Sequence, residues 1–178
     1  MSCRRWSVGD GGRNLPKEKI HEGMLAGAVI GYLCKHNATL AGAEGGCQAE
    51  IGVASAMGAA FLAQAHDFEP QVVANAAESS LEHHLGLTCD PVAGYVQLPC
   101  IERCSYGAVK AWVGLLIASN EIPANRRVDF DTTVEAMALT AKEMNTRYEG
   151  DLGRRAGRVG WPLPAGIRDR DRESGPES

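Results

Sequence analysis

Apolar positions recur at helical spacing in five stretches of this chain, separated by clusters of Gly, Pro and Asn. From Pro16 to about His36, Ile20, Met24, Ala28 and Tyr32 fall on one face. KHNATLAGAEGGCQ breaks that pattern, and its Asn, Thr and Gly residues predict a loop whose backbone comes close to another group. A second helix, Gln48 to about His66, is small or apolar on nearly every side, as a central buried helix is. Phe68-Glu69-Pro70 marks the start of a third, with Pro in its first turn. It runs to about His84, and Gly86 caps it. Leu87–Pro99 reads as irregular or short extended chain with a turn at Asp90-Pro91. Ile101 to Asn120 is a fourth helix. The fifth begins at Asp131-Thr132-Thr133-Val134-Glu135, where acidic residues suit the positive end of the helix dipole, and ends near Tyr148. The fold class expected is all-α: a compact domain over residues 16–150, with Gly-rich loops carrying the cysteines.

Flanking segments lack this periodicity. Residues 1–15 read as a loose extension, and the Arg-, Gly- and Pro-rich stretch 151–178 as a disordered tail. A length of 178 residues suits one domain plus a tail. Aromatics make up only 6% while Gly and Ala abound, so the helices are expected to pack closely. Net charge is −4, with no basic patch before the tail and no accompanying aromatic series, which argues against nucleic-acid binding. AGAVIGYLC and VGLLIASN are too short to cross a bilayer, and MSCRRWSVGDGG has no apolar signal region. A cytoplasmic, reducing location is expected, where stable disulfides are rare and the Asn37-Ala-Thr sequon is idle. The six cysteines are then buried hydrophobes, reactive thiols or ligands.

Their spacing, Cys47-x41-Cys89-x10-Cys100-x3-Cys104, contains no C-x2-C pair, so structural zinc is not expected. Cys34 falls on the apolar face of the first helix and reads as a buried thiol; Cys3 lies in the loose extension. Cys47, Cys89 and Cys100 each sit at a loop–helix edge beside Gly, Asp-Pro or Pro. Such edges leave room for a bulky inorganic group, and helix N-termini stabilise thiolates. Three thiolates can hold a [4Fe–4S] cluster with one iron open, whereas electron-transfer clusters take four. An open iron can act as a Lewis acid. On spacing alone, buried or incidental thiols explain these positions at least as well.

The words are more specific than the spacing. NATLAGAEGGCQAEIGVASAM, LEHHLGLTCDPVAGYVQLPCIER and GAVKA resemble the C-terminal half of the catalytic (alpha) part of the iron–sulfur-dependent L-serine dehydratases, from about residue 22 to Tyr148. The resemblance implies a mostly helical, dimeric enzyme in which Cys47, Cys89 and Cys100 hold the [4Fe–4S] cluster. Cys104 and His84 stand where that family usually has Asn, so Cys104 is left out of the ligand set. The implied reaction takes L-serine to pyruvate and ammonia without pyridoxal phosphate. Iron assists departure of the hydroxyl while a base removes the Cα proton, and the resulting aminoacrylate becomes an imine that hydrolyses. Glu44, three residues before Cys47, and His83, six before Cys89, are the candidate proton-transfer groups. Glu102, two residues after Cys100, is a further candidate, and each of the three also reads as a helix-terminal or surface polar group, His83 and His84 as partners of carbonyls at a helix end and Glu102 as a helix N-terminal charge. Gln48 and Thr88 are candidate hydrogen-bond donors to substrate or cluster. The regulatory (beta) part and the upstream catalytic segment of the family have no counterpart here, and TRYEGDLGRRAGRVGWPLP replaces the family's usual continuation. A second polypeptide or missing half-domain is therefore expected. Two other readings remain open: a related lyase acting on another small amino acid such as cysteine, or a metal-free fragment with an exposed apolar surface.

Overall fold

Among the described residues, five long helices and one short one follow in the order the apolar repeats predict. The structure, a computed structural model, describes residues 15–89 and 100–144. The expectations for residues 1–14, for the Asp90-Pro91 turn, for the helix end near Tyr148 and for the tail 151–178 lie outside the described residues. The helices are α1 (Lys17–Asn37), α2 (Gly42–Cys47), α3 (Val53–Ala65), α4 (Pro70–Glu82), α5 (Cys100–Asn120) and α6 (Phe130–Glu143). A π turn, Gln48–Gly52, joins α2 to α3, and a 3-10 turn, Pro123–Asn125, precedes α6. No strand occurs among the described residues.

α3 lies at the centre, with α1, α4 and α5 packed on it. Its Ala56, Ala59, Ala60 and Ala63 are fully buried, as the all-round apolar pattern predicts. Alanines supply little side-chain thickness, so the neighbouring helices come close. α6 packs against α4, α2 and α1. It begins one residue before the expected start, because Asp129 caps it by accepting a 2.8 Å hydrogen bond from Thr132 N.

The face of α1 turned inward is not the one its large apolar residues predict. Met24 and Tyr32 are exposed, whereas Gly23, Gly27, Ile30, Gly31 and Cys34 are buried. The glycines decide this. A Cβ at Gly27 would lie 2.9 Å from the Met57 carbonyl oxygen, and one at Gly31 would lie 2.8 Å from Met57 Sδ. The α1 backbone thus rests directly on α3.

The segment expected as an open loop after α1 is also partly helical. Thr39 Oγ1 accepts from Ala41 N at 3.1 Å and donates to Glu44 Oε2 at 2.8 Å, which starts α2. Gly46, at φ +72°, then kinks the helix before the π turn. The Gly-rich composition is used at that kink, and the expected close approach of backbone occurs there: a Cβ on Gly46 would strike the Leu87 carbonyl.

Behind α4 a polar knot anchors α6. Glu78, 1% exposed, pairs with Arg126 at 3.1 Å and accepts from Thr133 Oγ1 at 3.2 Å. Arg126 also meets Glu121 at 3.3 Å and donates to the Asn75 carbonyl at 2.5 Å.

Candidate functional site

Cys47 ends α2, Cys89 follows the turn after α4, and Cys100 opens α5. The first two segments are clamped together by main-chain geometry. Gln48 N donates to Leu87 O at 3.2 Å, and Gly86 N donates to Gln48 Oε1 at 2.9 Å. Gln48 Nε2 donates to Met137 O at 3.4 Å, so this fully buried amide pegs the clamp to α6. Gly86, at φ +81°, supplies the left-handed turn that brings Leu87 back towards Gly46. The third segment joins through Arg103, whose Nη1 donates to Cys47 Sγ at 3.1 Å and to Thr88 O at 2.7 Å.

Cys47 and Cys89 are buried, Cys100 is half-buried and Cys104 is exposed, and none of the four is in a disulfide. The Cys100 thiol is pushed up to about 11, by burial first and then by Cys47, Glu50, Cys104 and Cys89, which lie near enough to disfavour its charge. Cys34 sits in the core, where burial pushes it up to about 12. Among the described residues, no three His, Cys, Asp or Glu side chains converge as the ligands of one ion do. The donors that are present are soft sulfurs, free of disulfides, on three segments held around one cation. That chemistry fits an iron–sulfur group.

The two candidate proton-transfer groups lie at the surface. Glu44 is held by Thr39 at the start of α2. His83 has Nδ1 2.9 Å from Ser79 O, and its own carbonyl accepts from Lys110 Nζ at 2.9 Å. His84 turns inward: it is 1% exposed, with Nδ1 2.7 Å from Ser80 O, and packs against Gly52. Glu102 is exposed in the first turn of α5. Gln48, read from the sequence as a donor to a ligand, spends its side-chain amide on the clamp, and Thr88 contributes its carbonyl to it.

Two residues were missed by sequence reasoning. Arg103 is the final residue of the PCIER word, and its position one turn after Cys100 was the available signal. Glu50 is exposed on the π turn and faces Cys100 closely enough to affect its thiol. Nothing in the local sequence announces a π turn, although such turns recur at functional sites.

The chain matches the family described as Serine dehydratase alpha chain over residues 8–151. It is 49% identical to an L-serine dehydratase of Helicobacter pylori (strain J99) over 141 residues, covering 79% of this chain and 31% of that protein. L-serine dehydratase TdcG of Escherichia coli (strain K12) is 48% identical, over 76% of this chain and 30% of its own length. An L-serine dehydratase of Streptomyces coelicolor is 44% identical, over 71% and 28%. The chain thus spans about a third of the length of these relatives.

Proposed function

Because this chain belongs to the serine dehydratase alpha-chain family, we propose that it is the cysteine-bearing part of an enzyme converting L-serine to pyruvate and ammonia. The observation that carries this reading is the gathering of the Cys47, Cys89 and Cys100 segments around Arg103. These three cysteines are the proposed ligands of a [4Fe–4S] cluster, and the catalytic unit spans residues 16–150. When bound, the cluster supplies an open iron as Lewis acid for departure of the serine hydroxyl. The chain's own residues shape and dry the site: Gly46 lets two backbones meet, and burial of Cys47 and Cys89 excludes water. Glu44 and His83 are the proposed proton carriers. The Thr39 hydroxyl fixes the Glu44 carboxylate, leaving Oε1 to accept a proton. A proton on His83 Nδ1, donated to the Ser79 carbonyl, leaves Nε2 as acceptor.

The enzyme is completed by a second polypeptide or by the remainder of a longer one. Two apolar stripes support this: Met24, Leu25, Val29 and Tyr32 on α1, and Tyr106, Val109, Val113 and Ile117 on α5, all exposed. None of the five described cysteines is in a disulfide, which accords with a reducing, cytoplasmic setting.

The test is anaerobic reconstitution with iron and sulfide, followed by metal analysis, a visible spectrum and pyruvate assay with L-serine or L-cysteine. It is run on the chain alone and mixed with the uncovered part of the Helicobacter pylori relative. Colour with pyruvate from L-serine is the expected result for the mixture. Turnover of L-cysteine alone would move the substrate to another amino acid. A colourless chain in both arms would leave a metal-free fragment.

A further inference from the structure

One guanidinium touches two of the cysteine-bearing segments and is carried by the third. Arg103 follows Cys100 by one turn of α5, donates to Cys47 Sγ at 3.1 Å, and donates to the carbonyl of Thr88, the residue before Cys89, at 2.7 Å. The Gln48 clamp already joins the Cys47 turn to Gly86 and Leu87. Arg103 adds the start of α5 to that pair. Its side chain is half-buried, where a charge-assisted hydrogen bond is stronger than in open water.

We propose that Arg103 is the positioning residue of this site, a strap that sets the placement of the Cys47 and Cys89 segments relative to Cys100. The proposal rests on the cluster reading of the three cysteines. Arginine suits the task for two reasons. Its Nη1 carries two N–H groups in a fixed planar fork, so one atom serves the sulfur and the carbonyl together. It also reaches farther from the α5 backbone than a lysine ammonium does. Without it, the Thr88 carbonyl and the Cys47 sulfur lose their shared donor, and Cys89 loses the anchor beside it. Ligand groups held in advance bind without a separate ordering cost.

Arg103→Met and Arg103→Lys test this with two readouts. The first is the rate at which a chelator strips iron from the reconstituted chain. The second is amide hydrogen exchange at residues 87–89 in the cluster-free chain. Arg103→Met is expected to speed both by about tenfold or more, the scale of one hydrogen bond to a charged group. Arg103→Lys is expected to fall between, because it keeps the charge but not the reach. Exchange in the α3 and α4 cores is expected to stay unchanged. Iron loss and exchange equal to those of the unsubstituted chain would overturn the proposal. So would loss of protection throughout α3 and α4, which would make Arg103 a general stability residue. If the unsubstituted chain takes up no cluster, the cluster reading fails, and the exchange comparison still decides whether Arg103 straps the 87–89 segment.

Discussion

His83 and His84 are neighbours with opposite environments, and the buried one carries a pH dependence. Burial holds His84 below the ordinary histidine pKa of 6.5; Lys110 and His83 push the same way, and the Ser80 carbonyl opposes them. The unfolded chain therefore binds a proton that the folded chain refuses. Stability is full above about 6.5 and falls as pH drops through that value towards the depressed one. His84→Asn is expected to flatten this limb in thermal unfolding followed from pH 7 to 5, the range of histidine titration. Glu78 acts with the opposite sign. Burial raises it above 4.5, against the pull of Arg126 and Thr133 and with help from Glu82 and Glu121. Its contribution is present below 4.5 and is lost as pH rises through the raised value. Glu78→Gln should remove that loss, whereas Arg126→Met strands a buried carboxylate and should cost about 3–5 kcal/mol in urea unfolding. Among the sulfurs, Cys47→Ala, Cys89→Ala and Cys100→Ala are each expected to abolish iron binding, and Cys104→Ala to keep it. Loss in Cys104→Ala alone would break the proposed ligand set.

Helix α1 shows how an element can be predicted in place and misjudged in orientation. Its periodicity and length follow from the apolar spacing, and α1 does span Lys17–Asn37. Which face turns inward depends on distance to α3, and glycines allow a closer approach than Met24 or Tyr32. Gly27→Ala is the discriminating substitution. Alanine improves intrinsic helix propensity by about 1 kcal/mol, but its Cβ would sit 2.9 Å from the Met57 backbone oxygen, which has little room to move. Overpacking of this kind costs about 1–3 kcal/mol, so the denaturation midpoint should fall. A rise would show that α1 has room to withdraw. The turn before the π segment obeys the same logic. Gly46→Ala meets both a positive φ and the Leu87 carbonyl, and should lower iron uptake by displacing Cys47.

At the scale of the molecule, the α1 and α5 stripes leave large apolar side chains in water: Leu25 is 69% exposed and Tyr106 68%. No helix of the described residues is long and apolar enough to cross a membrane. The isolated chain is expected to self-associate in sedimentation and to bind an apolar dye. Val29→Lys together with Val113→Lys should reduce both while changing stability by no more than about 0.5 kcal/mol, as exposed substitutions do. The same pair should weaken association with the uncovered part of the Helicobacter pylori relative. Unchanged association would place the partner surface elsewhere.

Local chemistry determined much of this protein from sequence alone. Apolar spacing set where α1, α3, α4, α5 and α6 lie, because burying a stripe requires that period. Pro70 at the start of α4 and the φ +81° turn at Gly86 follow from the backbone limits of those residue types. The motif words carried the family, and they are the source of the proposed ligand set that spacing alone left open. Tertiary structure decided what depends on atoms far apart in the chain. It turned the glycine face of α1 inward and sent His84 rather than His83 into the core. It used Gln48 as a peg and laid Arg103 across the Cys47 and Thr88 segments. Periodicity reports which side of an element avoids water, but which neighbour comes close enough to touch is settled only when the helices pack.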